Sequence, residues 1–218
     1  MNLLICARCG ARTDHPVVEP AGPVVRCLDC GHRQPFHRLP LYSVTGPSGT
    51  GKSTVARLLN ERLADRFVVL EQDLLWTAGL RDDEDGAHRL FRSTWLRMAS
   101  MIHQSGRPVV LCGTVVPPEF EPLPERALFS EIRYLALMCD PDVLADRLRG
   151  RPAWRQWDED RIAEMLEYTA WVRGTAHEMD PPVTLLDTTT APVAATADAV
   201  VAWIERHHRA DTAAAPTP

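Results

Sequence analysis

No apolar run in the 218 residues approaches the roughly 20 needed to span a bilayer, so no membrane crossing is expected. Met1 to Cys6 is too short for a signal peptide and lacks its basic start. Basic charge is not in excess: the net charge is −5, which removes any general pull toward nucleic acid or anionic membrane. Internal repeats are missing as well. Aromatic residues are scarce at 6%, and Phe36 is the only one before Tyr42. The amino-terminal segment therefore lacks the aromatic interleaving on which bases stack. What remains is an ordinary globular composition, long enough for one α/β domain and a small appendage. A cytoplasmic protein with reduced thiols is the expectation.

Against this background one stretch stands out, Gly46-Pro47-Ser48-Gly49-Thr50-Gly51-Lys52-Ser53 followed by Thr54. It matches the phosphate-binding loop G-x-x-x-x-G-K-[ST]. Glycines let backbone N–H groups turn inward and line an anion nest. Lys52 can reach the β- and γ-phosphates, and the Ser53 hydroxyl can ligate Mg²⁺. Leu39 to Thr45 reads as a buried strand before the loop. Ser53 to Arg66 reads as a helix after it, with Val55, Leu58, Leu59 and Leu63 on one face. The helix presents its positive end to the phosphates. Binding of ATP or GTP with magnesium is expected.

Four of the six cysteines fall as Cys6-x-x-Cys9 and Cys27-x-x-Cys30. This spacing is a zinc signature, each pair presenting two thiolates to one tetrahedral ion. Val17-Val18-Glu19 and Val24-Val25-Arg26 flank Pro20-Ala21-Gly22-Pro23 as a β-hairpin, so residues 1–38 resemble a zinc ribbon. So small a unit builds little core, and metal would supply its folding energy. Four thiolates close the site, which indicates a structural ion. Iron held in rubredoxin-like fashion and redox thiols are the alternatives. Arg8, Arg12, Arg26, Arg33 and Arg38 make the segment locally basic. Nucleic acid is accordingly a secondary partner reading.

Beyond the loop, apolar strands alternate with helices. Strands are expected at 67–71, 109–112, 132–139 and 183–187. Helices are expected at 53–66, 88–104, 158–173 and 194–207, with one starting at Asp140 and Pro141 and ending near Arg151. Pro117 to Pro124 reads as loop, and Asp82 to Asp85 as a charged surface stretch. The fold class is α/β, a five-stranded parallel sheet between helices. The expected domains are the ribbon at 1–38, a nucleotide domain at 39–209 and a frayed tail at 210–218.

Leu39 to His208 resembles the small P-loop kinases, a group of nucleoside and nucleotide kinases with shikimate, gluconate and antibiotic kinases nearby. Four positions carry the resemblance: the GPSGTGKST loop; Asp73 after the second strand; Cys139-Asp140-Pro141 followed by Arg147, Arg149, Arg151 and Arg155; and Asp187-Thr188-Thr189 after the last strand. The resemblance implies that Asp73 serves the acceptor. Arg147, Arg151 and Arg155 would then belong to a lid around 147–157, and Asp187, Thr188 and Thr189 would seat adenine. It further implies that Arg92 and Arg97 lie where nucleotide kinases often hold an acceptor phosphate, but surface solvation is the first reading of each alone. Trp76, near a helix start, is read first as core, with stacking on a planar substrate as the alternative. One departure is visible. The third strand ends Leu111-Cys112-Gly113-Thr114, without the usual second magnesium carboxylate. The expected activity is transfer of the γ-phosphate of Mg·ATP to a small-molecule acceptor, a nucleoside or nucleotide first, by a monomer or homodimer. The alternatives are an antibiotic kinase and a ribbon-targeted ATPase. No Asn-Lys-x-Asp motif supports a GTPase.

Overall fold

A computed structural model describes residues 2–77 and 88–214, with side chains over 2–75 and 88–210. Three short strands come first: β1 (Val17–Glu19), β2 (Val24–Arg26) and β3 (Arg33–Pro35), antiparallel in that order. The expected hairpin is present, with Val18 opposite Val25. The third strand, Arg-Gln-Pro, carries no apolar alternation and was not expected. Register alone recruits it, Gln34 lying opposite Val25.

The main sheet has five parallel strands in the order β5 (Val68–Glu71), β6 (Val109–Cys112), β4 (Leu41–Thr45), β7 (Ile132–Met138), β8 (Val183–Asp187). The three central strands β6, β4 and β7 are buried on both faces, as a parallel sheet requires, while the edge strands β5 and β8 are partly exposed. Tyr42, Val44, Val110 and Leu135 point to one side, where α1 (Lys52–Leu63) and α7 (Val193–Ala214) cover them with Leu59, Leu63, Val200 and Ile204. Leu41, Val109, Leu111 and Tyr134 point to the other, against Phe91, Trp95 and Leu96 of α3 (Arg89–His103) and Val172 of α6 (Glu159–Thr175). Two further helices are α2 (Asp73–Thr77) and α5 (Pro141–Arg149).

Two segments differ from the sequence reading, and one expected cap makes no bond. Pro117 to Pro124, expected as loop, contains a helical turn, α4 (Pro117–Phe120), and a 3₁₀ segment follows at Pro124–Leu128. Two prolines in a first turn break no hydrogen bond there, and Glu119 reaches back to the Val116 N–H. Asp140 precedes α5 as expected but its side chain makes no capping bond. The closing helix runs to Ala214, taking in the start of the tail expected from 210; residues 215–218 lie outside the described residues. So do Asp82 to Asp85, and the Trp76 side chain is likewise undescribed.

The small sheet is seated on the large domain rather than tethered to it. Leu3, Leu4, Val25 and Phe36 belong to the same buried cluster as Trp95, Leu96, Leu123 and Phe129. The His37 N–H donates to Gln104 Oε1 at 2.9 Å, and Gln104 Nε2 donates back to the His37 carbonyl at 3.2 Å. Arg38 Nε donates to the Ala127 carbonyl. Asp14 lies 3.3 Å from Arg97 on α3, and Arg97 also binds the fully buried Glu125.

Candidate active site

The loop between β4 and α1 lies at the carboxyl ends of the central strands, where open α/β sheets take their ligands. Gly46 holds φ 125°, and a Cβ there would come 2.2 Å from the Leu137 carbonyl oxygen, so no other residue fits. Thr50 is buried and donates from Oγ1 to the Pro47 carbonyl, closing the turn. Lys52 Nζ donates to the Gly46 and Pro47 carbonyls at 2.7 and 2.8 Å. Gly46 and Thr50 thus shape the loop. Ser48, Gly49, Gly51, Lys52, Ser53 and Thr54 line the cleft it forms.

The same cleft is lined by Glu71, Asp73, Cys112, Gly113, Thr114, Arg151 and Arg155. Glu71 ends β5 and stands beside Lys52. Gln72, between the two acids, is buried and accepts from the Thr114 N–H at 3.1 Å. A Cβ on Gly113 would fall 2.6 Å from Gln72 Cβ, which favours glycine at this strand end, where no second carboxylate stands. Asp73 opens α2 with its carboxylate 60% exposed and 3.9 Å from Arg155.

Burial lowers the Lys52 pKa from its ordinary value to about 8; Asp73 opposes the shift and Arg151 adds to it. Burial holds the neighbouring Cys112 thiol neutral, its pKa raised to about 12. Phosphate favours the charged ammonium, so nucleotide binding must restore any proton lost from Lys52. Affinity for Mg·ADP is therefore expected to fall as pH rises through about 8. Calorimetry near that pH, in two buffers of different ionisation enthalpy, should register net proton uptake. An affinity flat across that range contradicts the assignment.

The arginines expected in a lid divide. α5 ends at Arg149, so Arg151 and Arg155 sit beyond it on an irregular turn with a 3₁₀ segment at Ala153–Arg155, both facing the cleft. Arg147 remains on the helix. Its guanidinium donates instead to the Thr188 and Thr189 carbonyls at 3.0 and 3.2 Å. The turn it grips is tied to the loop: Thr188 Oγ1 contacts the Thr50 carbonyl at 3.3 Å, and Asp187 accepts from the Thr189 N–H. On α3, Arg92 pairs with Glu119, and Arg97 with Glu125 and Asp14.

The four amino-terminal cysteines converge, their sulfurs all within 4.8 Å of one another. Cys6 and Cys30 lie 3.7 Å apart, as do Cys9 and Cys27, and all four are free thiols. Four thiolates about 2.3 Å from one tetrahedral ion have edges of about 3.8 Å, so the donor set fits zinc. Around it three of the arginines pair with carboxylates: Arg12 with Asp14, Arg26 and Arg33 with Glu19.

Residues 43–171 match the AAA domain family. Shikimate kinase of Chlorobaculum tepidum is 33% identical over 147 residues, covering 58% of this chain and 73% of that protein. Among solved structures, shikimate kinase from Acinetobacter baumannii in complex with shikimate aligns with a TM-score of 0.53 at 19% identity, over 79% of this chain and 96% of that one. A gluconokinase from Sinorhizobium meliloti aligns with a TM-score of 0.50 at 18% identity, over 80% and 95%. These two likenesses are of fold. No helix among the described residues is long and apolar enough to cross a membrane.

Proposed function

This chain belongs to the AAA domain family and, with its shikimate kinase relative, to the P-loop small-molecule kinases, and we propose that it transfers the γ-phosphoryl group of Mg·ATP to a hydroxyl of a small-molecule acceptor. The observation that carries this reading is the gathering of Lys52, Ser53, Glu71, Asp73, Arg151 and Arg155 in one cleft. Backbone N–H groups of the loop and Lys52 hold the phosphates. Ser53, with Glu71 and Asp73 nearby, would hold a Mg²⁺ ion, which supplies charge neutralisation at the phosphates when bound. Asp73 orients the acceptor hydroxyl and accepts its proton. Arg151 and Arg155 meet charge on the moving phosphoryl group. The Asp187-Thr188-Thr189 turn, kept in shape by Arg147, seats adenine.

Arg92 and Arg97 each answer an internal carboxylate, which supports an unphosphorylated acceptor, a polyol, ring alcohol or nucleoside, ahead of a nucleotide. The four cysteines would hold one structural zinc ion, since their mutual spacing fits a tetrahedral thiolate set. A ribbon seated on α3, with three of its five arginines paired to its own carboxylates, favours this over a nucleic-acid-guided ATPase.

The test is ADP release from Mg·ATP across nucleosides, nucleotides, polyols such as shikimate and gluconate, and aminocyclitols. Stimulation by an unphosphorylated polyol or nucleoside, at least about tenfold over basal hydrolysis, is expected. Stimulation by nucleotides alone overturns the acceptor class. Stimulation by aminocyclitols alone moves the reading to an antibiotic kinase. Steady hydrolysis that no acceptor raises overturns transfer altogether.

A further inference from the structure

An arginine fixed by a carboxylate arrives already neutralised. Arg92, Arg97 and Arg149 are fixed in that way, Arg149 by two bonds of 2.8 Å to Glu159. The two arginines in the phosphate cleft are held differently. The Arg155 guanidinium lies over the Trp154 ring, 4.7 Å from its centroid, and reaches Asp73 only at 3.9 Å. The Arg151 guanidinium lies 5.8 Å from the Trp157 ring centroid, and among the described residues no carboxylate pairs with it. We propose that Trp154 and Trp157 are positioning residues that hold Arg155 and Arg151 toward the γ-phosphate by their ring faces, leaving both charges available for transfer.

The physical case rests on how a guanidinium stacks. An aromatic face attracts the cation through its quadrupole and leaves the N–H edge free to hydrogen-bond phosphate. A carboxylate occupies that edge. The surroundings anchor the device. Trp157 packs on the buried cluster of Leu144, Leu148 and Ile162, and its ring also takes Arg161 at 4.6 Å. Arg161 in turn donates to the Arg155 and Gln156 carbonyls at 3.0 and 2.6 Å, securing the backbone that carries Arg155. Asp158 caps α6 immediately after, accepting from the Arg161 N–H at 2.9 Å. Trp154, by contrast, is 72% exposed. Among the described residues neither a core contact nor a hydrogen bond accounts for a large indole at that position, whereas the stack with Arg155 does. An exposed ring also means that its replacement leaves the core intact.

The inference deepens the kinase reading and rests on it. Its test needs no acceptor. Dissociation constants of the full chain for Mg·ADP and for the non-hydrolysable Mg·AMPPNP are compared in wild type, Trp154→Leu, Trp154→Phe, Arg155→Ala and the Trp154→Leu/Arg155→Ala double variant. Trp154→Leu is expected to weaken AMPPNP binding about 3- to 10-fold while ADP binding stays within about twofold. Trp154→Phe, which keeps a ring face, should retain most of the affinity. The double variant should bind AMPPNP no more weakly than Arg155→Ala alone, because the indole acts through that arginine. Three results overturn the inference: Trp154→Leu matching wild type, equal losses for both nucleotides, or losses that add in the double variant. A wild-type protein that binds neither nucleotide overturns the kinase reading itself, and this inference with it.

Discussion

Replacing Lys52 with alanine is expected to lower phosphoryl transfer by roughly 10²- to 10³-fold or more, the scale seen when a preorganised charge is withdrawn from a transition state. The folded state should survive. Lys52 packs no apolar cluster, and burial works against its charge, as its pKa of about 8 records. Its removal leaves the Gly46 and Pro47 carbonyls without that donor in a loop that water reaches through the open cleft. A melting temperature within a few degrees of wild type, with transfer lost, is the expected pair of results. A folded variant that still transfers phosphate sinks the mechanism. The sequence adds a direct check, because Lys52 is the sole lysine in the chain. Acylation by an amine-reactive reagent, mapped by mass spectrometry, should strike the amino terminus and Lys52, and Mg·ATP should protect Lys52 alone.

Replacing Cys6 with serine, or stripping metal from the intact protein, is expected to cost stability well beyond the ribbon. Binding free energy of a structural zinc is folding free energy for so small a unit. Here the unit also contributes Leu3, Leu4, Val25 and Phe36 to the cluster that buries Trp95, and Asp14 to the Arg97–Glu125 pair. Losing it therefore uncovers one face of α3. A destabilisation on the order of 4–5 kcal/mol is expected, lowering the melting temperature by roughly 10 °C or more. Hydrogen exchange should quicken along α3 as well as in residues 2–38. Metal content measured by elemental analysis should fall from one zinc per chain toward none. Full zinc occupancy in the Cys6→Ser protein with unchanged melting would show that the four thiols are not its ligands. Faster exchange confined to residues 2–38 would show that the ribbon does not brace the helix.

The parts legible in the sequence are those written in contiguous residues. The phosphate loop needs a strand, a run of glycines and a helix in immediate succession, and all three stand between Leu41 and Leu63. The paired cysteines are legible for the same reason, each pair closing within four residues. The arginines show where this stops. Arg147, Arg151 and Arg155 recur every fourth residue, a spacing that shares a face only while a helix lasts. The helix ends at Arg149, so Arg147 turns to the Thr188 and Thr189 carbonyls and the other two turn to the cleft. Glu71 carries no local signal, because in sequence an acid at the end of a strand looks the same whether it faces solvent or a lysine. The turn at Pro117–Phe120 had a signal, two prolines with glutamate at the third helical position, that the proline count obscured. The seating of the ribbon on α3 depends on Asp14, Arg97 and Glu125 meeting from three separate elements, and no local pattern announces such a meeting.

The central claim is that phosphate leaves ATP for a small molecule rather than for water or a macromolecule. It is tested most directly by incubating the protein with γ-labelled Mg·ATP and a small-metabolite extract freed of protein and nucleic acid, then locating the label. Label in a new small-molecule phosphate, absent with the Lys52→Ala protein, is the expected result. Label found only in inorganic phosphate, at a rate the extract does not change, would contradict it.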